Sequence, residues 1–268
     1  MEKLYLQATE LYKNGEYKKA FSIFSTLSKQ NHTKSSNQLA ILYFFGKGTR
    51  KNYKKTIYYA KIGADANFCE SQYILGIIYQ MGFGVKKDIN SAIEYLTLSA
   101  KQNNLDAIKA LANVYCYDLE DYEKSIFWQE KGAQQNFLPC LYGLALMYKY
   151  GNGVEQNEEK SIELCEKILR DNNSSPSLVF DFEELKKSAM LCLADFYTKQ
   201  KNVKDKLDKG LEYYYLLAKN EKYKKHQKRA KHRLDNLYYD EMRSKTKNSD
   251  MIFYWHNKAF NQNWNYLF

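Results

Sequence analysis

The densest cluster of chemically active side chains in this sequence is a basic run, KNEKYKKHQKRAKHR, at residues 219–233. Its central cations are Lys224, Lys225, Lys228, Arg229, Lys231 and Arg233. Cations at this density could neutralise phosphates, with Tyr223 available to stack on a base, or they could attract an acidic protein. A solvated helix face is the third interpretation. No recognition motif for RNA or DNA accompanies the run.

The cysteines and histidines lack the spacing of a metal site. The five cysteines are Cys69, Cys116, Cys140, Cys165 and Cys192, and the four histidines are His32, His226, His232 and His256. They contain no CxxC pair and no zinc-finger spacing. The odd number of cysteines also argues against a disulfide framework, so we expect a reducing compartment, with Cys140 and Cys165 buried on apolar helix faces.

Catalytic motifs are absent from the sequence as well. It contains no GxxxxGK[ST], no HExxH and no GxSxG pattern. Its three Gly-x-Gly turns follow no strand pattern, which excludes a dinucleotide-binding motif. Carboxylate pairs such as Glu158-Glu159 are typical of the first turn of a helix. The sequence therefore predicts no catalytic residue, no metal site, no cofactor and no enzymatic activity.

The elements that must position the basic run are expected to be helices. Only 12 glycines and 2 prolines occur in 268 residues, too few for a many-turned β architecture. No run of about 18 apolar residues could span a membrane, and the first residues do not resemble a secretory signal. We therefore expect a soluble, cytoplasmic, all-α protein.

Seven tyrosines recur at intervals typical of helical repeat arrays. These reference tyrosines are Tyr12, Tyr43, Tyr79, Tyr115, Tyr148, Tyr197 and Tyr238. A leucine stands four residues before all but the first, and a small residue stands eight before from the second unit on. These positions share one face of an α-helix. A second helix with its own small and aromatic positions follows, so the pattern predicts seven helix-turn-helix units that bury their apolar faces against one another.

Units three and five resemble the Sel1-like repeat, a relative of the tetratricopeptide repeat. The matching residues are Leu75, Gly76, Tyr79, Gly82, Gly84, Val85, Asp88 and Ala92 in unit three, and Leu144, Tyr148, Gly151, Gly153, Val154, Asn157 and Ser161 in unit five. The resemblance implies a right-handed α/α superhelix, or solenoid, as a single domain over 1–268, with the first helix of each unit on the concave side.

The same resemblance predicts how the chain is divided into segments. Well-matched repeats are expected at 35–172, an inserted loop at about 171–183 and degenerate repeats at 184–262, with an aromatic cap at 263–268. The inserted loop carries Phe180 and Phe182 and is either a surface connection or an added edge of a binding groove.

Concave positions follow if tetratricopeptide geometry carries over: nine, six and two residues before each reference tyrosine, and one and two after it. The candidates for partner binding are Ile41, Phe44, Phe45, Tyr73, Ile77, Met81, Tyr117, Tyr142, Leu146 and Tyr150. Exposed aromatic residues and methionines mark protein-binding surfaces. The alternative is that several of these side chains pack against the adjoining unit.

Two classes of function are compatible with these features. The first is a non-catalytic solenoid that binds a protein partner, as an adaptor or as an immunity protein that neutralises a cognate toxin. A net charge of +10 would suit an acidic partner. The second is nucleic-acid binding through the basic tract 199–233. The resemblance also extends to secreted, disulfide-linked proteins associated with β-lactam binding or hydrolysis, which is the less favoured alternative.

Overall fold

The computed structural model describes residues 1–171, 177, 179–200, 203–244 and 248–260. All regular structure in these ranges is helical, which confirms the all-α prediction. The α-helices are α1 Glu2–Lys13, α2 Tyr17–Ser28, α3 Thr33–Phe45, α4 Tyr53–Asp65, α5 Cys69–Met81, α6 Ile89–Lys101, α7 Leu105–Asn113, α8 Tyr122–Ala133, α9 Leu138–Tyr150, α10 Glu158–Arg170, α11 Phe182–Lys199, α12 Lys204–Ala218, α13 Lys224–Ser244 and α14 Ser249–Phe260. Among these described helices, none combines the length and apolar character needed to cross a membrane.

The chain forms two compact units, Met1–Gly132 and Ala133–Phe268. In the first unit, each helix from α1 to α7 packs on the next, and the first helices of successive repeats also touch, α3 on α5 and α5 on α7. In the second unit, α9 to α14 pack in the same consecutive way, and α11 contacts both α9 and α13. Each unit is thus built from stacked helix pairs, as the repeat pattern predicts. The expected cap at 263–268 lies outside the described residues.

The glycine turn closes each well-matched repeat around its reference tyrosine. Gly82 ends α5 with a φ of 70°, a left-handed conformation that favours glycine. The chain then returns, and the N–H of Asp88 donates to the carbonyl oxygen of Tyr79 at 2.9 Å. The Asp88 side chain accepts from the N–H of Ser91 and so caps α6. Asn52 and Asn157 occupy the same position and make the same two bonds in their own repeats.

The fourth repeat closes without glycine. A π-helical turn at Val114–Asp118 follows α7 and replaces the Gly-x-Gly segment. Asp121 nevertheless donates its N–H to the carbonyl oxygen of Tyr115 at 2.8 Å and accepts from the N–H of Lys124. The repeat is therefore three residues shorter but keeps the bond between tyrosine and capping residue.

Reference tyrosines also make a recurring contact with the second helix. Tyr43 stacks on Tyr59 and Tyr79 on Tyr95, with ring centroids 5.7 Å apart in both pairs. A lysine at one equivalent position covers the ring in four repeats, namely Lys55 on Tyr43, Lys124 on Tyr115, Lys160 on Tyr148 and Lys209 on Tyr197, at 5.0–5.6 Å from the centroid. These cation–π contacts account for part of the high tyrosine and lysine content.

The C-terminal end of the insertion that follows α10 packs against the core of the second unit. Residues 172–176 and 178 lie outside the described part of the chain. Asp181 caps α11, so this helix begins at Phe182, one residue before the predicted end of the loop. Phe180 and Phe182 pack edge-on against the fully buried Phe137, with centroids 5.9 and 6.1 Å away. The aromatic pair is therefore packed inward and does not project from the surface.

Candidate functional site

The predicted partner-binding residues of the first unit divide into buried and exposed groups. Ile41 and Tyr73 are each only 4% exposed, so the expectation that they line an open surface is wrong. Adjacent first helices touch, and the phenol of Tyr73 faces Asp106 at the start of α7. Burial is the main cause that raises the pKa of Tyr73 and keeps it neutral. The alternative interpretation, packing against the adjoining unit, holds for these two residues.

The other predicted residues of the first unit remain partly or wholly accessible. Phe44, Phe45 and Ile77 are half-buried. Met81 and Tyr117 are 57% and 75% exposed. Near them, the carboxylate of Asp118 accepts hydrogen bonds from Gln80 at 3.0 Å and from Lys87 at 2.6 Å.

The second unit contains a groove where α9, α11 and α13 lie side by side. We call this the second-unit groove. It consists of a cavity of about 550 Å³ and an adjacent smaller one of about 110 Å³, and Lys149, Tyr150 and Asp195 line both. The remaining lining residues are Tyr142, Leu146, Ser188, Leu191, Cys192, Thr198, Lys199, Tyr214, His226, Arg229, Arg233, Asn236, Leu237 and Asp240. Three predicted partner-binding residues, Tyr142, Leu146 and Tyr150, are among them.

Asp195 is the electrostatic centre of the second-unit groove. It accepts a hydrogen bond from the hydroxyl of Tyr214 at 2.6 Å. Its carboxylate oxygens lie 3.4 Å from Nε of Arg233 and 3.7 Å from Nζ of Lys149. Burial disfavours the charged form of Lys149, but Cys192, Tyr150 and Asp195 outweigh it and raise the pKa of the lysine, which stays cationic. Asp195 thus holds two cations in the groove.

The charge of the groove lining is positive overall. Its cations are Lys149, Lys199, Arg229 and Arg233, and its carboxylates are Asp195 and Asp240. The lining therefore has two more cationic side chains than carboxylates, beside the apolar and aromatic surfaces of α9. One of the cations, Lys199, is also 3.6 Å from a carboxylate oxygen of Glu158 on α10. An anionic group with an adjoining apolar portion is the ligand chemistry that suits such a lining.

The basic run does not form one surface. Arg229 and Arg233 line the groove. Lys231 is half-buried, with its ammonium 5.9 Å from the centroid of Phe260. Lys224, Lys225 and Lys228 are exposed and do not line the groove. The structure thus brings two of the six predicted cations to the predicted residues of α9 and leaves the others elsewhere on α13.

Sequence reasoning misses several groove residues when the concave positions are taken from the well-matched repeats alone. Applied to Tyr197 and Tyr238, these positions select ten residues, of which His232 and Tyr239 do not line the groove. The other eight line it, namely Ser188, Leu191, Asp195, Thr198, Lys199, Arg229, Asn236 and Asp240. The reference tyrosines of the degenerate repeats are therefore sufficient to find them. Tyr214, which lies on a second helix, carries no such signal.

His226 lies in the wall of the groove, where it is 4% exposed. Its Nε2 atom is 2.9 Å from the hydroxyl oxygen of Ser188. Burial is the main cause that lowers the pKa of His226; Lys225, Arg229 and Lys187 lower it further, whereas Glu184 raises it. The folded protein therefore holds this imidazole neutral.

A pH-dependent loss of stability should follow from His226. Because its pKa is lower in the folded state than the unfolded value of about 6.5, the unfolded chain binds more protons below that pH. Stability should thus fall as pH drops from about 7.5 to about 5.5, and His226→Gln should reduce this fall. Urea unfolding of both proteins at both pH values measures the difference. An equal pH dependence of the two proteins would contradict the assignment.

Two other kinds of site are poorly supported by the described residues. A cleft of about 400 Å³ lies beside 15–19 and Gly48 in the first unit, but it is open and bounded by turns. No cluster of histidine, cysteine and carboxylate side chains within the described ranges could hold a metal ion. The second-unit groove is therefore the candidate site.

Comparison with known proteins identifies the family. The Sel1 repeat model matches residues 33–68, 69–104, 106–137 and 138–173, which together make up more than half of the chain. The chain belongs to the Sel1 repeat family. Sel1 repeats are generally non-catalytic scaffolds for protein interaction. In this Sel1 repeat protein, the groove is built from the last matched repeat and the two degenerate repeats that follow it.

Solved structures show the same fold. A Sel1 repeat protein from Oxalobacter formigenes is 22% identical, with a TM-score of 0.68 over 97% of this chain and 100% of that one. The protein c5321, a protective antigen of uropathogenic Escherichia coli with an SLR fold, is 21% identical, with a TM-score of 0.66. That match covers 97% of this chain but 53% of c5321. At these identities, the likeness concerns the fold alone. No curated protein matches the sequence.

Proposed function

We propose that this Sel1 repeat protein binds an acidic protein partner in the second-unit groove. The observation that carries the proposal is the surplus of positive charge beside the aromatic residues of α9. Tyrosine and arginine are over-represented among the residues that dominate binding energy at protein interfaces. Tyr150 is 63% exposed at the groove, and Arg229 and Arg233 face it from α13.

Asp195 prepares the groove for such a partner. Its carboxylate holds Lys149 and Arg233 in place before binding, so less side-chain entropy is lost when a ligand arrives. A cavity of about 550 Å³ admits several side chains of a partner segment. We infer that carboxylates of the partner pair with Arg229, Arg233 and Lys149, while an apolar side chain rests on Tyr150 and Leu146.

The specific role that we propose is that of a cytoplasmic immunity protein whose partner is an acidic toxin. A net charge of +10 would speed association with an acidic surface. An adaptor is the alternative role and requires a second binding surface, for which Met81 and Tyr117 of the first unit are the candidates. A growth assay distinguishes the two roles. A toxin partner inhibits growth when it is expressed alone and is tolerated when this protein is co-expressed, whereas the partner of an adaptor shows no such rescue.

Affinity purification of the tagged chain from its native cells should recover the partner for direct measurement. The double variant Tyr150→Ala with Arg233→Ala should bind the purified partner about tenfold more weakly or worse. The matched control is Tyr58→Ala with Lys228→Ala, because Tyr58 is also 63% exposed and Lys228 lies on α13 outside the groove. This control should stay within about twofold of wild type, since rim and surface contacts contribute little.

Two outcomes would contradict the proposal. One is equal affinity of the groove variant and wild type when both keep their helical circular dichroism. The other is recovery of nucleic acid whose binding falls steeply with salt and is lost when Lys224, Lys225 and Lys228 are neutralised. The second outcome would support the basic tract 199–233 as a nucleic-acid surface.

A further inference from the structure

Two cysteine side chains meet beneath the second-unit groove. Cys165 lies on α10 and Cys192 on α11, two helices that pack together. Both side chains belong to one apolar cluster of the second unit, and each thiol is the main influence on the pKa of the other. The partner-binding role of the groove does not use either thiol.

The two thiols have different surroundings. Sγ of Cys192 lies 3.5 Å from the ammonium of Lys149 and lines the cavity of about 110 Å³ at the floor of the groove. Cys165 is fully buried and does not line it. A nearby ammonium stabilises a thiolate, which is the nucleophilic form of cysteine. Of these two thiols, only Cys192 combines a cationic neighbour with a cavity.

The pKa values of the two thiols are shifted in opposite directions. Hydrogen bonding with Cys165 is the main cause that lowers the pKa of Cys192; Lys149 lowers it further, whereas burial and Asp195 act in the opposite direction. The same hydrogen bond and burial raise the pKa of Cys165. Cys192 is thus the more acidic thiol of the pair, and Cys165 is the one that stays protonated.

We propose that Cys192 and Cys165 form a peroxide-sensitive thiol pair that closes into a disulfide at the floor of the second-unit groove. The cavity is large enough for a molecule of the size of hydrogen peroxide, since one water occupies about 30 Å³ of liquid. Lys149 holds the attacking sulfur as a thiolate, and Cys165 is the resolving residue.

The chemistry balances in two steps. In the first, the Cys192 thiolate attacks one oxygen of hydrogen peroxide, an S–O bond forms and the O–O bond breaks. Cys192 becomes a sulfenic acid, and the departing hydroxide takes a proton from solvent to give water. In the second, the sulfur of Cys165 attacks the sulfur of Cys192, the S–S bond forms and the S–O bond breaks. Hydroxide leaves with the proton of Cys165 as a second water.

Oxidation would change the groove as well as the thiols. The disulfide would join α10 to α11 across the insertion and remove the thiolate that faces Lys149. The lysine would lose one of the groups that hold its position. The redox state of the pair would thereby alter the cationic lining of the groove, whichever partner binds there.

The test treats the reduced full-length protein with hydrogen peroxide near neutral pH, followed by denaturing alkylation and mass spectrometry. We expect a loss of two hydrogens per chain in the linked peptides that contain Cys165 and Cys192, reversed by dithiothreitol. In Cys165→Ser, dimedone should trap a sulfenic acid at Cys192. Lys149→Met should slow oxidation about tenfold, because thiolate character falls without the ammonium. Lys160→Met, in which the lost ammonium covers Tyr148, is the matched control and should oxidise at the wild-type rate.

Three results would overturn the proposal. The more exposed Cys69 or Cys116 could oxidise before Cys192, which would show that exposure alone sets reactivity. Lys149→Met could oxidise as fast as Lys160→Met, which would remove the role of the ammonium. Prolonged treatment could leave the peptides of Cys165 and Cys192 unlinked. Circular dichroism of each variant before oxidation shows whether the fold is retained.

Discussion

Replacing Phe137 by alanine should lower the free energy of unfolding of the second unit by about 4 kcal/mol, the largest effect that we expect from one substitution. The ring is fully buried and receives Phe180 and Phe182 edge-on. Truncation removes this burial, leaves a cavity and takes away the surface on which the end of the insertion packs. Urea unfolding followed by far-ultraviolet circular dichroism measures the loss.

Phe127→Ala is the matched control for Phe137→Ala. It removes the same atoms from a ring that is 58% exposed on α8, so it should change stability by about 0.5 kcal/mol or less. Phe137→Leu should give an intermediate loss and keeps the measurement possible if the alanine variant fails to fold. Equal losses for the two alanine variants would show that the contacts of Phe180 and Phe182 do not fasten the insertion.

The fold was predictable because the repeat pattern specifies which side of each helix is buried. A leucine four residues before a tyrosine lies on the same face of the helix, whatever the neighbouring unit contains. The bond from Asp88 to the carbonyl oxygen of Tyr79 also follows from local spacing. Tyr73 shows the limit of such reasoning. The sequence of one helix does not say how closely the next first helix approaches, and that approach determines the exposure of Tyr73.

The groove was predictable in part for a related reason. Tyr150 belongs to a well-matched repeat, whereas Asp195 belongs to a repeat without the glycine turn. Turn residues and lining residues are under different constraints, because turn residues set the path of the backbone whereas lining residues form the surface of the groove. A repeat can lose its turn signature and keep its lining positions. In this chain, the degenerate repeats supply most of the charged residues of the second-unit groove.

The basic run illustrates how charge is divided by helical geometry. Arg229 and Arg233 are one helical turn apart and reach the groove together. Lys224 and Lys228 are also one turn apart but do not line it. A count of cations along the sequence therefore overstates the charge that one ligand meets. The groove is lined by side chains of three first helices and by Tyr214 of α12, and not by one segment.

Gly48→Ala should destabilise the first unit by about 3 kcal/mol, the second large effect that we expect. Gly48 has a φ of 71°, and a Cβ atom there would lie 2.4 Å from the carbonyl oxygen of Tyr17 and 2.9 Å from the N–H nitrogen of Lys18. Both atoms belong to the backbone at the start of α2, so no side-chain rotation relieves the contact. The α3–α4 turn and the α2 terminus would have to separate.

Gly15→Ala distinguishes this close approach from backbone strain alone. Gly15 has a φ of 80°, but no atom lies within 4 Å of the position that a Cβ would occupy, so its substitution adds only the left-handed strain of about 1 kcal/mol. Urea unfolding gives the two losses, and hydrogen exchange across 1–68 should rise more in Gly48→Ala than in Gly15→Ala. If both variants lose the same stability, the turn accommodates the methyl group, and the contact between the first two repeats is looser than the distance of 2.4 Å implies. A larger loss for Gly48→Ala would mean that a turn glycine is required by the neighbouring repeat as well as by its own backbone conformation.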